Sequence, residues 1–274
     1  MGQNPRGARV AIGGEANQVI AMATLQSARR VDRESLTDRS APLRRQVNHL
    51  EFDEGRLRWV HAALFAAYGH QHWWPAESPF EVMIGAVLTQ NTAWSNVERA
   101  LARLSASSAL EPAAILALDP AELAEALRPA GYFNLKARRL SAFCVEYLAA
   151  GGLEGWGALD TETLRRALLK VNGIGPETAD DMLLYAFERP VFVVDAYTRR
   201  IFARLGAIAG DEAYEQIRAG FEQTLGPDVP LFKEYHALIV QHAKQACRAR
   251  PICPDCPLRE ACPAALAPSL HAKM

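Results

Sequence analysis

Apolar positions along the chain recur mostly with a helical period and almost never alternate as a half-buried strand would. From about Asp53, Leu57, Val60, Leu64 and Ala67 fall on one stripe and predict a helix. Phe80, Met83, Ile84, Val87 and Leu88 predict a second, apolar enough to be buried. Further helices are predicted at roughly 95–105, 110–117, 120–128 and 134–149. In Thr161–Lys170 the residues Leu164, Leu168 and Val171 share a face, and a helix from Glu177 to about Phe187 turns Met182, Leu183 and Phe187 inward. After the short apolar run Val191–Val194 come helices at Ala196–Leu205, 211–224 and about 231–246. The expected fold class is all-α.

Composition narrows this picture only slightly. The 274 residues are half hydrophobic, enough for one large domain or two lobes. A net charge of −1 means that any surface for nucleic acid is local. No apolar run reaches about 18 residues, the length of a membrane span, and Val19–Ala23 is too short for the core of a signal peptide. The expected setting is cytoplasmic, beside the nucleoid in a bacterium. Residues 1–48 are rich in Gly, Ser, Gln and Arg and read as a flexible basic N-terminal extension. It is either an arm that adds phosphate contacts or a dispensable segment.

Between the helices lie polar and glycine-bearing breaks. His72-Trp73-Trp74-Pro75 carries two adjacent tryptophans that cannot share a helix face, so one is expected in the core and the other beside a pocket. Thr89-Gln90-Asn91-Thr92-Ala93-Trp94 follows a buried helix with a run of amides and hydroxyls, which either meet a polar partner or satisfy their own backbone. Arg128–Arg139 is a turn entering a basic helix. Val171-Asn172-Gly173-Ile174-Gly175 breaks one helix, and Pro176 sits where the next begins, its missing N–H costing nothing there. Such a helix–turn–helix points backbone N–H groups outward, where a helix N-terminus holds phosphate; an ordinary αα-turn is the alternative. Asp195 precedes the following helix and suits its N-cap.

Near the end of the chain Cys247, Cys253, Cys256 and Cys262 are spaced C-x5-C-x2-C-x5-C, with prolines at 251, 254, 257 and 263. Four thiolates this close can wrap one metal centre, zinc among the options. Two disulfides are the alternative, disfavoured without a sign of secretion. Cys144 lies in an apolar helix and is expected in the core.

Gly-Ile-Gly, a helix, Val-Val-Asp195 and a terminal four-cysteine loop, in that order, resemble the helix-hairpin-helix DNA glycosylases of the endonuclease III superfamily over roughly residues 73–262. The more detailed similarity is to 3-methyladenine DNA glycosylase III and its relatives, through Trp73-Trp74-Pro75, Gly85–Thr92, Arg128–Asn134, Gly173–Asp180 and Val193–Asp195. The resemblance implies a two-lobed fold. A six-helix barrel lobe at 78–189 would carry the hairpin at 161–187. Residues 49–77 with 190–246 would form a lobe of terminal helices, followed by a cluster loop at 247–262 and a tail at 263–274. It implies a [4Fe–4S] cluster on the four cysteines, whose first spacer is one residue shorter than usual in the family, with zinc as the alternative.

The implied partner is double-stranded DNA containing damaged bases, bound by a monomer. Gln90, Asn91, Asn172, Gly173 and Gly175 would bind DNA, Gln90 filling the gap left by the flipped nucleotide. Trp73, Trp74, Pro75, Trp94 and Lys244 would shape the base pocket, where a cationic alkylated purine gains about 0.5–2 kcal/mol against electron-rich rings. Asp195 would face the sugar and stabilise the oxocarbenium ion. Glu177, read as an anion at neutral pH, stands where lyase members of the family have an amine nucleophile, and a carboxylate forms no imine. The expected activity is a monofunctional DNA glycosylase for alkylated bases. A pyrimidine-damage glycosylase with lyase activity from Lys170 or Lys244, and a non-catalytic DNA-binding protein, are the alternatives.

Overall fold

The structure, a computed structural model, describes residues 50–106 and 110–266. The predicted N-terminal extension and the last residues of the tail lie outside that range. Thirteen α-helices are present among the described residues, with no strand. They are α1 (Glu54–Tyr68), α2 (Pro79–Leu88), α3 (Trp94–Ala106), α4 (Pro112–Ala117), α5 (Pro120–Ala126), α6 (Phe133–Ala149), α7 (Gly152–Gly157), α8 (Thr161–Lys170), α9 (Pro176–Asp181), α10 (Ala196–Arg204), α11 (Tyr214–Leu225), α12 (Val229–Gln245) and α13 (Pro263–Leu266). Asp53, Ser78, Asp160, Asp195 and Asp228 cap α1, α2, α8, α10 and α12 by accepting a backbone N–H near the start of each helix. Such a cap is worth about 1 kcal/mol.

Two lobes share the core. In one, α1 and α10 pack on α12, and fully buried Tyr235 donates its hydroxyl to Leu57 O at 2.8 Å. Phe192 and Phe221 stack there with centroids 4.0 Å apart. In the other, α4 and α5 pack on α6, and Phe80, Phe143, Tyr147 and Trp156 form an aromatic cluster. The apolar run Val191–Val194 is buried and extended without pairing as a strand.

Two local expectations, at α1 and α9, need correction, and two further features lie outside what the pattern predicts. Ala67 is exposed, so the apolar stripe of α1 ends at Leu64. The glycine-rich segment after α6 forms the short helix α7. Lys136 of the basic helix α6 points inward, where its ammonium donates to Leu88 O, Thr92 Oγ1 and Ala130 O at 2.7–2.8 Å. Those three acceptors match its three donors, so the buried charge is fully satisfied. The helix expected from Glu177 to Phe187 is not uniform. It is α-helical to Asp181 and then widens into a π turn at Met182–Ala186, which packs against both α2 and α12. Phe187 is only half-buried.

The hairpin between α8 and α9 is braced from below. Arg165 forms a bidentate buried pair with Asp180 at 2.6 and 3.1 Å and reaches Glu215 of α11 at 2.8 Å. Tyr214 donates to the same aspartate at 2.8 Å. Removing one member of such a pair typically costs about 3–5 kcal/mol, because the other charge is left buried alone.

Candidate active site

Asp195 sits where the buried extended run meets α10, with 8% of its surface exposed. Its Oδ1 accepts from Thr198 N at 2.7 Å and Thr198 Oγ1 at 2.8 Å, so the N-cap reading is correct. Its Oδ2 lies 3.8 Å from His236 Nε2. Burial works to raise the Asp195 carboxyl, but His236 and the Thr198 donors outweigh it and hold the group below its ordinary value. The helix α12 thus supplies a partner that the sequence pattern does not single out.

Glu177, in the first turn of α9, is within electrostatic reach of Asp195. The residue is exposed; around the carboxyl itself, desolvation first and the Asp195 charge second push the pKa up to about 7. Asp181, one helical turn on, is buried with Oδ1 unpartnered, and burial holds its carboxyl well above the ordinary value. The i, i+4 spacing of Glu177 and Asp181 was the available signal that both face one way.

The three tryptophans come together. Trp74 meets Trp94 edge-on at 5.1 Å and Tyr185 at 5.2 Å, and Trp73 lies 6.0 Å from Trp74 and 5.9 Å from Trp94. Gly85 makes this possible, since a Cβ there would stand 3.2 Å from the Trp74 ring. The expected division into one core and one pocket tryptophan fails. Trp73 and Trp74 are both half-buried, and both indole N–H groups are buried without a partner. Pro75 is exposed. Lys244, exposed at the end of α12, holds its ammonium 5.3 Å over the Trp73 ring. Burial lowers its pKa and the Asp195 charge opposes that shift, which puts the two on one side of the molecule.

Across the hairpin, Gln90 donates to Gly173 O and Thr178 Oγ1, both at 3.0 Å, and accepts from Arg139. Its amide is engaged by the hairpin and does not project freely. Asn91 is exposed with φ 53°, a left-handed conformation that asparagine tolerates. Asn172 is exposed in the hairpin turn, and Gly173 has φ 90°, where a Cβ would meet Arg139 Cγ at 2.4 Å. Gly175 needs no special conformation. Its φ is −95°, and no atom lies within 4 Å of the place a Cβ would take, so its surface is open to an approaching backbone. Tyr132, which sequence reasoning missed as a site candidate, is 72% exposed in a left-handed conformation at the head of α6. Thr92 donates to the carbonyl of Ala130 two residues before it.

Cys247, Cys253, Cys256 and Cys262 are all free and line one cavity, and buried Cys144 is a core residue as expected. Among the described residues no three His, Cys, Asp or Glu converge on a single point as ligands of one ion. Arg204 directs a guanidinium N–H at Cys247 Sγ, 3.2 Å away, and clasps the carbonyls of Arg248 and Ala249. His242 Nε2 stands 3.8 Å from Cys256 Sγ, while its Nδ1 bonds the Tyr68 hydroxyl at 2.8 Å. Four sulfurs lining one cavity, one of them facing a guanidinium N–H, are the donor set of a cysteine-ligated centre, iron–sulfur or zinc.

Comparison with known proteins bears on the whole arrangement. The chain is 49% identical over 208 residues to the Methanocaldococcus jannaschii protein MJ1434, named by inference as a DNA repair glycosylase, covering 74% of this chain and 94% of that one. It is 29% identical to the endonuclease III of Sulfolobus acidocaldarius, covering 67% and 81%. Among solved structures it is similar to the H. pylori 3-methyladenine DNA glycosylase MagIII bound to 1,N6-ethenoadenine, with 28% identity and a TM-score of 0.60 over 70% of this chain and 97% of that one. An endonuclease III–DNA complex shares the fold, with a TM-score of 0.68 at 23% identity over 78% and 97%. The family described as HhH-GPD superfamily base excision DNA repair protein matches residues 84–227, more than half of the sequence. With its helical hairpin, buried aspartate and two helical lobes, the chain belongs to the HhH-GPD superfamily and is a DNA repair glycosylase of the helix-hairpin-helix type.

Proposed function

We propose that the protein is a monofunctional glycosylase for bases whose glycosidic bond is already weakened, alkylated purines foremost, and that it leaves an intact abasic site. The observation that carries this reading is the surroundings of Asp195: carboxyls at Glu177 and Asp181, with a cluster of three tryptophans linked to it through Tyr185 and His236. A flipped base is stacked and held by the aromatic cluster, which favours a cationic ring. Asp195, anionic, pinned through Oδ1 and facing His236 with Oδ2, stabilises the positive sugar as the base departs, and holds or orients the attacking water. Glu177 cannot attack C1′ as an amine would. The hairpin, through the outward backbone at Gly173 and Gly175, holds the phosphate chain. MagIII supports the choice of base, because that relative is seen with 1,N6-ethenoadenine.

Cys247, Cys253, Cys256 and Cys262 would hold a [4Fe–4S] cluster, which, once bound, fastens the loop after α12 as four cross-links meeting at one body. Arg204 and His242 hold the loop from the helix side.

A panel of duplex oligonucleotides, each with one lesion, tests the reading. Alkylated purines should be released fastest, nicks should appear only after alkali, and borohydride should trap no protein–DNA adduct. Trapping that disappears in Lys244→Ala would make Lys244 the nucleophile and replace the monofunctional assignment.

A further inference from the structure

His236 has a partner at each ring nitrogen. Nδ1 is 2.8 Å from Tyr185 Oη, which also lies 3.2 Å from Lys233 O and has one proton to give. Nε2 faces Asp195 Oδ2 at 3.8 Å. Two states aim an N–H at that carboxylate: a neutral ring protonated on Nε2, with Tyr185 donating to Nδ1, and a ring protonated on both nitrogens, with Tyr185 donating to Lys233 O.

The setting agrees with the second state. His236 is 5% exposed on α12. The groups facing it are Asp195 from the head of α10, Glu177 and Asp181 from α9, and Tyr185 from the π turn. Lys233 and Glu234 flank it on α12 itself, with Lys244 and Arg199 farther out on the Asp195 and Glu177 sides. Three carboxyls thus converge on one imidazole, which Tyr185 locks in its plane.

We propose that His236 is an imidazolium at neutral pH and a positioning residue: it keeps Asp195 ionised and aimed while the sugar above becomes positive. This rests on Asp195 being the catalytic carboxylate. Without the cation, Asp195 is a buried carboxyl with only the Thr198 donors to hold its charge, and it protonates at a higher pH. Burial alone would lower the His236 pKa, and the Asp195 partner reverses that and raises it. The sign follows. Excision by the parent protein holds up as pH falls, because Asp195 stays charged. In His236→Gln the acid limb moves to higher pH, and the rate falls about tenfold for each unit below the new pKa.

Two readouts test this on the intact protein. Nitrogen-15 NMR of labelled histidine, with His236→Gln to assign the signal, should show both ring nitrogens of His236 protonated at neutral pH. A neutral ring there, with Tyr185 donating to Nδ1 instead, would overturn the proposal whatever the activity. Single-turnover base release from methylated duplex DNA across the acid and neutral range should show the displaced acid limb in His236→Gln, with recovery toward the parent rate at alkaline pH. Tyr185→Phe, which only removes the acceptor for Nδ1–H, should move the limb the same way by less. An equal loss at every pH in both variants would reduce His236 to a packing residue. Base release that persists in Asp195→Asn would instead overturn the reading of Asp195, and the NMR result would still report the ring charge.

Discussion

Asp195 divides its two oxygens between separate tasks, one capping α10 and one facing an imidazole. The division explains why Asp195→Asn is the informative substitution. Asparagine caps nearly as well as aspartate, so the fold should hold, while the charge under the sugar is gone. Base release should fall by about 10²–10³-fold, the scale of losing one electrostatic stabiliser, with affinity for lesion DNA unchanged or higher. Parent-like release in single-turnover assays would leave Asp195 as a cap alone. Glu177 makes a pH prediction. Its carboxyl, pushed up to about 7, gains charge as pH rises through neutrality. DNA affinity by fluorescence anisotropy at fixed salt should therefore weaken by roughly 2- to 10-fold across that window. Glu177→Gln should abolish the step. Asp195 and Glu177 were visible in the sequence as residue types at meaningful positions. His236 was not, because its pairing with Asp195 joins helices more than forty residues apart in sequence.

At the scale of the element, the hairpin's two glycines answer to different constraints. Gly173 is required by the chain itself, through φ 90° and the closeness of Arg139. Gly173→Ala should cost about 1–3 kcal/mol in thermal or denaturant unfolding and drive Arg139 off Gln90. Gly175 has ordinary φ and open space, so Gly175→Ala should leave stability within about 0.5 kcal/mol. If the DNA backbone passes there, it should still weaken binding. A Gly175→Ala variant with unchanged affinity would place the phosphate elsewhere. The helices themselves were legible because their apolar stripes are regular, as Leu164, Leu168 and Val171 show. Where local pattern failed, tertiary demand had won. Lys136 reads as one more surface cation until its three acceptors are seen, and Trp73 and Trp74 share the half-buried state because Gly85 leaves room for a cluster.

For the whole molecule, the proposed cluster on the four-cysteine loop carries its own prediction. Purified protein should be yellow-brown and contain iron, and Cys262→Ser should lose the colour together with stability of the α12–α13 end. Colourless protein with stoichiometric zinc would replace the cluster assignment. The two-lobed organisation was legible only through the family resemblance that the motifs carry. The bracing between hairpin and α11 was not, since Arg165 and Asp180 are one amphipathic-helix arginine and one acidic residue among many until they pair out of water.

The π turn at Met182–Ala186 holds one residue more per turn than the α-helix it continues. The extra residue is absorbed within the turn, so its length decides where the turn's own side chains point. Deleting any single residue there would close the turn up as ordinary α-helix and move those side chains. Tyr185 would lose its place against both Trp74 and His236. Substitutions in this stretch can be absorbed by repacking. A change of length cannot, so among descendants of this sequence the segment between Pro176 and Asp195 should drift in composition while its residue count stays fixed.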